Sequence, residues 1–288
     1  MLSGIPIPKD AVRPPETVLV NITPQETRVA VLEENNICEL HIERNSGHSL
    51  VGNIYLGVVK RVLPGMQSAF IDIGLERAAF LHIVDVLEQR RNPDETQRIE
   101  HMLFEGQSVL VQVIKDPINT KGARLSTQIS LAGRFLVHLP QEDHIGISQR
   151  IEDDAERSSL RERLNNLLPE NACHGYIIRT NAENASDDQL QSDINYLTKV
   201  WEHIQKQAKI QPPETLLYQD LPLSLRVLRD MFSLDTHKIL VDSTENHRRM
   251  TQFAEQYVQG ALGRIELFKG ERPLFETHNI EQEIARAL

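Results

Sequence analysis

QSAFIDIGLERAAFLHI, residues 67–83, decides the fold. Two runs of strict alternation, QSAFIDIG (67–74) and AAFLHI (78–83), are joined through Gly74-Leu75-Glu76-Arg77. Successive side chains of a strand point to opposite faces, so Ala69, Ile71 and Ile73 share one side and Ser68, Phe70 and Asp72 the other. In the second run Ala79, Leu81 and Ile83 form the apolar side, which leaves Ala78, Phe80 and His82 opposite. Each strand therefore has an aliphatic face for a core and carries one phenylalanine on the wrong side of it. Working outward, VGNIYLGVVKRV (51–62), SVLVQVIK (108–115) and ARLSTQISL (123–131) read as further short strands. Leu63-Pro64-Gly65, a charged insert over 87–106 and the Asp116-Pro117…Lys121-Gly122 turn separate them. Five short strands with one longer polar insert predict a small five-stranded barrel.

The flanks differ in character. Residues 17–44 predict a β-meander: TVLVNI, the Thr23-Pro24 break, TRVAVLE, a Glu-Asn-Asn turn and ICELHIE. After His138 come a loop rich in Gly, His and Asp and then a helix from about Asp153 to Leu168, stopped by Pro169. HGYIIRT is read as a strand, and SDDQLQSDINYLTKVWEHIQKQAKI as a helix with Leu190, Ile194, Leu197, Val200/Trp201 and Ile204 at 3–4 spacing. The remainder alternates: a helix through LSLRVLRDMF, the strand HKILVDS, a helix around NHRRMTQFAEQYV, the strand RIELFKG, and a closing helix NIEQEIARAL. The last has an Ile280, Ile284 and Leu288 stripe and no capping residue after it, which predicts a chain that stops inside an element. The fold class is α+β.

Composition bounds the function classes. The chain has 288 residues, 40% hydrophobic and 25% charged, as in ordinary folded domains. No stretch is apolar for long enough to cross a membrane, and MLSGIPIPKDAVRPPE lacks the apolar heart of a signal peptide, so no membrane partner and a cytoplasmic location are expected. Cys38 and Cys173 are far apart in the chain and are expected to be buried thiols rather than a disulfide or a metal knuckle. A net charge of −10 argues against a protein coated in nucleic acid. Residues 48–136 nonetheless carry 10 Lys/Arg against 9 Asp/Glu, whereas 137–214 carry 8 against 14. Within the balanced block, Lys115, Lys121, Arg124 and Arg134 face a single Asp116 over residues 115–134, a local basic strip suited to a polyanion.

Three groups could carry function. Phe70 and Phe80, on the polar side of adjacent strands, are what base stacking requires; packing beneath the 87–106 insert is the competing placement. Lys115 and Lys121 flank a turn and Arg124 opens the next strand, so the three could follow a phosphate backbone or simply be a solvated face. Arg179-Thr180, at the end of YIIR, pairs a guanidinium fork with a hydroxyl, a combination that fits a terminal phosphate and also an ordinary cap or salt bridge. Catalysis has no comparable signal. Asp153-Asp154 and Asp187-Asp188 stand at helix starts, where carboxylates serve the dipole, and the histidines form no HxxxH or nucleophile motif.

The strings VLVNITPQETRVAVLE, GNIYLGVVKRVLPGMQSAFIDIGLERAAFLH, VIKDPINTKGARLSTQISLAGRFLVHLP, GISQRIE and IIRT resemble, in the same order, the bacterial ribonuclease E/G family. The resemblance runs from about residue 17 to residue 288. It implies an RNase H-like domain over 1–47 and 215–288, interrupted by an S1 (OB-fold) RNA-binding domain over 48–132 and a small α+β 5′-sensor domain over 133–214. By it, Phe70 and Phe80 fall on S1 aromatics that hold single-stranded RNA, and Lys115 and Lys121 on S1 basic residues. Gly133, Val137, Arg179 and Thr180 fall on the pocket that reads a 5′-monophosphate. The family's hydrolysis uses Mg²⁺ held by two Asp of a DNase I-like domain, and its subunits share a Zn²⁺ through cysteines. Neither ligand set is found in this sequence, and NIEQEIARAL resembles the entry to the domain that would hold the first. The resemblance thus implies an endoribonuclease of rRNA processing and mRNA decay, homo-oligomeric when whole, of which this stretch binds 5′-monophosphorylated single-stranded RNA without cutting it. A non-catalytic RNA-binding regulator that keeps the 5′-end sensor is the alternative, and a structural S1 module docking other proteins is a second one.

Overall fold

The computed structural model describes residues 15–44, 49–86, 98–119, 121–169, 175–232 and 235–287. Cys173 and most of the charged insert lie outside them. The chain is mixed α+β and divides into two compact units, residues 1–48 with 221–288, and residues 49–220.

The first unit begins with the expected meander: β1 (Glu16–Ile22), β2 (Glu26–Glu33) and β3 (Asn36–Arg44), paired antiparallel in sequence. β3 is an edge strand, and its register against β2 steps from Val31↔Glu39 to Leu32↔Ile37, leaving Cys38 as the extra residue of a bulge. Cys38 is consequently exposed, which corrects the expectation of a buried thiol.

The second unit carries the barrel: β4 (Ile54–Leu63), β5 (Ser68–Asp72), β6 (Ala79–His82), β7 (Ser108–Lys115) and β8 (Arg124–Ser126). The strands pair in the order β4-β5-β6-β8-β7, and β7 returns to β4, so the sheet closes; only the β6–β8 pair is parallel. This is a five-stranded closed barrel of the OB-like kind. Tyr55, Val59, Ala69, Ile71, Ile73, Ala79, Leu81, Val111, Val113 and Leu125 fill it, the parity expected of 67–83, and the one-turn helix α1 (Ile99–Met102) adds Ile99 to the same core.

Beyond the barrel, β9 (Leu131–Ala132), β10 (Leu136–Leu139), β11 (Ile145–Ile147), and, after helix α2 (Asp154–Leu167), β12 (Gly175–Ile178) form a four-stranded sheet in the order β11-β12-β10-β9. Helix α3 (Asp187–Ile210) packs on it through Leu190, Ile194, Leu197, Trp201 and Ile204, each burial of such a side chain contributing about 1.5–3 kcal/mol. Ser186 and Gln189 close a reciprocal capping box at its start. Asp153 caps α2 through the Ala155 N–H at 2.8 Å, and Asp187 pairs with Arg163 at 2.7 Å; these adjacent carboxylates serve helix ends. β13 (Thr215–Tyr218), expected at the head of the returning segment, adds to the outer edge of β4, so the unit ends at Asp220.

The chain then completes the first unit. Helix α4 (Leu223–Arg226) widens into a π-turn over Val227–Met231, where the sequence predicts one unbroken helix. β14 (Thr236–Val241) and β15 (Ile265–Leu267) add in parallel to β1, giving the sheet order β15-β14-β1-β2-β3. Helix α5 (Thr244–Tyr257) covers one face, and α6 (Leu274–Thr277) and α7 (Ile280–Ala287) the other, through Phe275 and Ile280. Among the described residues no helix is long and apolar enough to cross a membrane.

Candidate nucleic-acid interface

On the outer side of the barrel, Phe70 and Phe80 are direct cross-strand partners of β5 and β6, with ring centroids 6.2 Å apart at 65°. Each ring is half-buried, a consequence of the parity that sends Ala69, Ile71, Ala79 and Leu81 inward. His82 continues the aromatic surface, its ring 6.3 Å from Phe80.

The registers extend this pair into a row across the sheet. Arg61 of β4 stands opposite Phe70, Phe70 opposite Phe80, Phe80 opposite Arg124 of β8, and Arg124 opposite Lys115 of β7. Two aromatics are thus flanked by a cation on one side and two on the other. Both ends of the row sit at register shifts, between Val59 and Arg61 and between Val113 and Lys115. Arg61 and Lys115 are exposed and make no ion pair among the described residues. Arg124 differs, because its Nη2 lies 2.8 Å from Asp85, whose carboxylate is almost wholly buried. That pair holds the guanidinium in place while neutralising it, so Arg124 is a positioned member of the row rather than a free cation. Lys121 lies outside the row, in the tight Ile118–Lys121 turn, where it too is exposed. Arg61 escapes a reading of motifs because its placement beside Phe70 follows from the pairing register, Lys60-Arg61 at the end of 51–62 being the available signal, whereas His82 shares the face that parity gives to Phe80.

The second group sits on the β9–β12 sheet. Arg179, immediately after β12, donates from its side chain to the Gly133 carbonyl, and its backbone N–H donates to the Phe135 carbonyl at 2.8 Å. Val137 pairs with Ile177, two residues before Arg179, and both are half-buried, while Leu136, Tyr176 and Ile178 face the core. Thr180 opens the short helical turn Thr180–Asn184, half-exposed beside Arg179. The structure therefore brings Gly133, Val137, Arg179 and Thr180 to one end of this sheet.

Beneath them lies a residue that the sequence reading passed over. Asp193, on α3, is 8% exposed and accepts from three consecutive backbone N–H groups: Arg134 at 3.0 Å, Phe135 at 2.8 Å and Leu136 at 2.9 Å. Burial pushes its pKa up; the three N–H donors and the Arg179 guanidinium pull the other way, and burial prevails. Gly133 is required at this point, since a Cβ there would lie 2.5 Å from the Asp193 carboxylate. The signal was a charged residue inside the Leu190–Ile194–Leu197 stripe, where an aliphatic one is expected.

The ribonuclease E/G family model matches residues 130–288. Ribonuclease G of Escherichia coli (strain K12) is 41% identical over 278 residues, covering 94% of this chain and 56% of its own length. Ribonuclease G of Haemophilus influenzae is 39% identical over the same shares, and ribonuclease E of Nostoc sp. 37% identical over 93% of this chain and 39% of its own length. The chain thus spans about half the length of the ribonuclease G relatives it matches.

Proposed function

The chain belongs to the ribonuclease E/G family, and on that premise we propose that it is the RNA-holding, 5′-end-reading part of an endoribonuclease that cleaves single-stranded RNA in rRNA processing and mRNA decay. The observation that carries the proposal is the Arg61–Phe70–Phe80–Arg124–Lys115 row. Bases stack on Phe70 and Phe80 without regard to sequence, because every base has a π-face, and the flanking cations follow the phosphates on either side. Arg179 and Thr180, with Gly133 and Val137 beside them, then take the 5′-monophosphate, the guanidinium supplying the charge and the hydroxyl a short donor. The order β3-β2-β1-β14-β15, antiparallel in its first three strands and parallel in its last two, supports the RNase H-like reading of the first unit as a matter of fold alone.

The Mg²⁺ of hydrolysis and the Zn²⁺ between subunits are assigned, in this reading, to the part of the family's length that this chain does not span. Among the described residues no group of three or more His, Cys, Asp or Glu is placed to hold a metal ion, and no hydrolytic step is routed through this chain. The chain on its own is expected to bind RNA and leave it whole, and the homo-oligomer is a property of the longer protein.

Fluorescence anisotropy with a short A/U-rich RNA, bearing a 5′-monophosphate or a 5′-hydroxyl, tests the proposal, with Mg²⁺ present and the RNA run on a gel afterwards. We expect the monophosphate to bind several-fold tighter and Arg179→Ala to abolish that difference. Equal affinities for the two ends would overturn the 5′-end reading, and cut RNA would overturn the assignment of catalysis elsewhere. Arg61→Ala should weaken both RNAs alike and lower the slope of log K against log salt by about 0.7, the value for one phosphate contact on a single strand. An unchanged slope would remove Arg61 from the interface.

A further inference from the structure

We propose that Asp193 is a positioning residue for 5′-end recognition, acting through the Gly133–Leu136 loop to aim the Arg179 guanidinium. The inference rests on the 5′-end reading above and deepens it. Asp193 is out of place on grounds of packing alone. It occupies a buried position in a stripe of Leu190, Ile194 and Leu197, where burying a carboxylate is costly unless its hydrogen bonds are satisfied. Its oxygens satisfy them by gathering the N–H groups of Arg134, Phe135 and Leu136, three successive residues that converge on one anion.

The consequence falls on Gly133. With the next three amides pinned to α3, the Gly133 carbonyl is fixed at the point where the Arg179 side chain donates to it. Gly133 itself is pressed so closely on the Asp193 carboxylate that no side chain fits between them. A continuous chain of contacts thus leads from a buried carboxylate, through one loop, to the residue assigned to the phosphate. Arg134, whose backbone joins this grip, holds its guanidinium over the Phe135 ring at 5.0 Å, which stiffens the same loop from outside. A flexible Arg179 would bind a terminal phosphate after losing its side-chain freedom; a guanidinium already held pays little of that entropy on binding.

The test uses the anisotropy assay with Asp193→Asn, Gly133→Ala, Arg179→Ala and the Asp193→Asn/Arg179→Ala pair. Asn keeps the shape but turns one acceptor into a donor facing N–H groups, and Gly133→Ala disturbs the same contact from the loop side. We expect each single variant to bring the monophosphate-to-hydroxyl ratio from several-fold to near one, because binding of the monophosphate falls by far more than binding of the 5′-hydroxyl RNA. In the pair, Asp193→Asn should cost nothing beyond Arg179→Ala, as coupled residues require. Trp201, the only tryptophan, lies buried two turns along the same helix and reports by its emission whether α3 stays packed. If Asp193→Asn releases Trp201, Asp193→Glu, which keeps the carboxylate but shifts it off the three amides without adding a donor, decides in its place. A preserved ratio in a packed Asp193→Asn or Gly133→Ala variant, while Arg179→Ala abolishes it, overturns the role of Asp193 and leaves the 5′-end reading standing. Equal losses for both RNAs mean a purely structural residue and overturn it as well. Arg179→Ala without effect overturns the reading and this inference together.

Discussion

Replacing Phe70 and Phe80 together by alanine is expected to weaken single-stranded RNA binding by roughly 2–6 kcal/mol, with a central value near a thousand-fold, because two base stacks of about 1–3 kcal/mol each are lost. The rings touch edge to face at 6.2 Å, so the two single variants should not sum to the double: each also removes the other's support. The core is spared. Ala69, Ile71, Ala79 and Leu81 point inward and keep their packing, so the melting temperature should move little beside the loss of affinity. Salt separates this effect from that of the cations. The phenylalanine pair carries no charge, and the slope of log K against log salt should stay at its wild-type value, whereas Arg61→Ala lowers it. A double variant within three-fold of wild type at the same salt would show that RNA does not lie on this row.

Gly122→Ala should cost about 3 kcal/mol or more of stability, read as a shift of the urea midpoint of the barrel. Gly122 precedes β8, where the chain passes directly against the start of β6. An added Cβ would overlap the Ala78 carbonyl oxygen and sit 2.9 Å from its carbon, both backbone atoms that cannot rotate away. The strands held there are the one parallel pair of the barrel: the Phe80 N–H donates to the Ala123 carbonyl at 2.7 Å, and Phe80 stands opposite Arg124. Forcing them apart breaks the row at its centre, so RNA affinity should fall with stability. Gly65→Ala is the matched control. Nothing lies within 4 Å of its Cβ position, and the change should stay within about 0.5 kcal/mol. Equal midpoints for the two variants would mean that β6 and β8 are not held as closely as described.

Much of this was legible in the chain because alternation is a local property. Over 67–83 the period of two assigned Ala69, Ile71, Ile73, Ala79, Leu81 and Ile83 to the core and left two phenylalanines outside, and the barrel keeps that assignment. The helix at 187–210 was equally plain, its stripe and its Ser186-Gln189 cap being written within one element. Local patterns fail where the neighbour comes from far along the chain. Cys38 lay in an alternating run and was expected inside, but a bulge on an edge strand turned it to solvent. Thr215–Tyr218 carried no mark of the strand it joins, since pairing with β4 spans some 160 residues.

The candidate sites divide in the same way. Residue type and parity determined which side chains could meet RNA: Phe70, Phe80, the lysines near the 116–122 turn, and the Arg179-Thr180 step at the end of a strand. Tertiary structure alone decided how they are grouped. The shifted register of the β4–β5 pair set Arg61 beside Phe70, and packing of β8 against β6 gave Arg124 to Asp85 and left Lys121 outside the row. Packing of α3 on the β9–β12 sheet delivered Asp193 to three amides that a sequence shows only as GRFL. The physical reason is common to both. The face on which a side chain lies is dictated by the backbone period of its own few residues, whereas its partner is chosen by register and packing between segments far apart in the chain, which no single segment encodes.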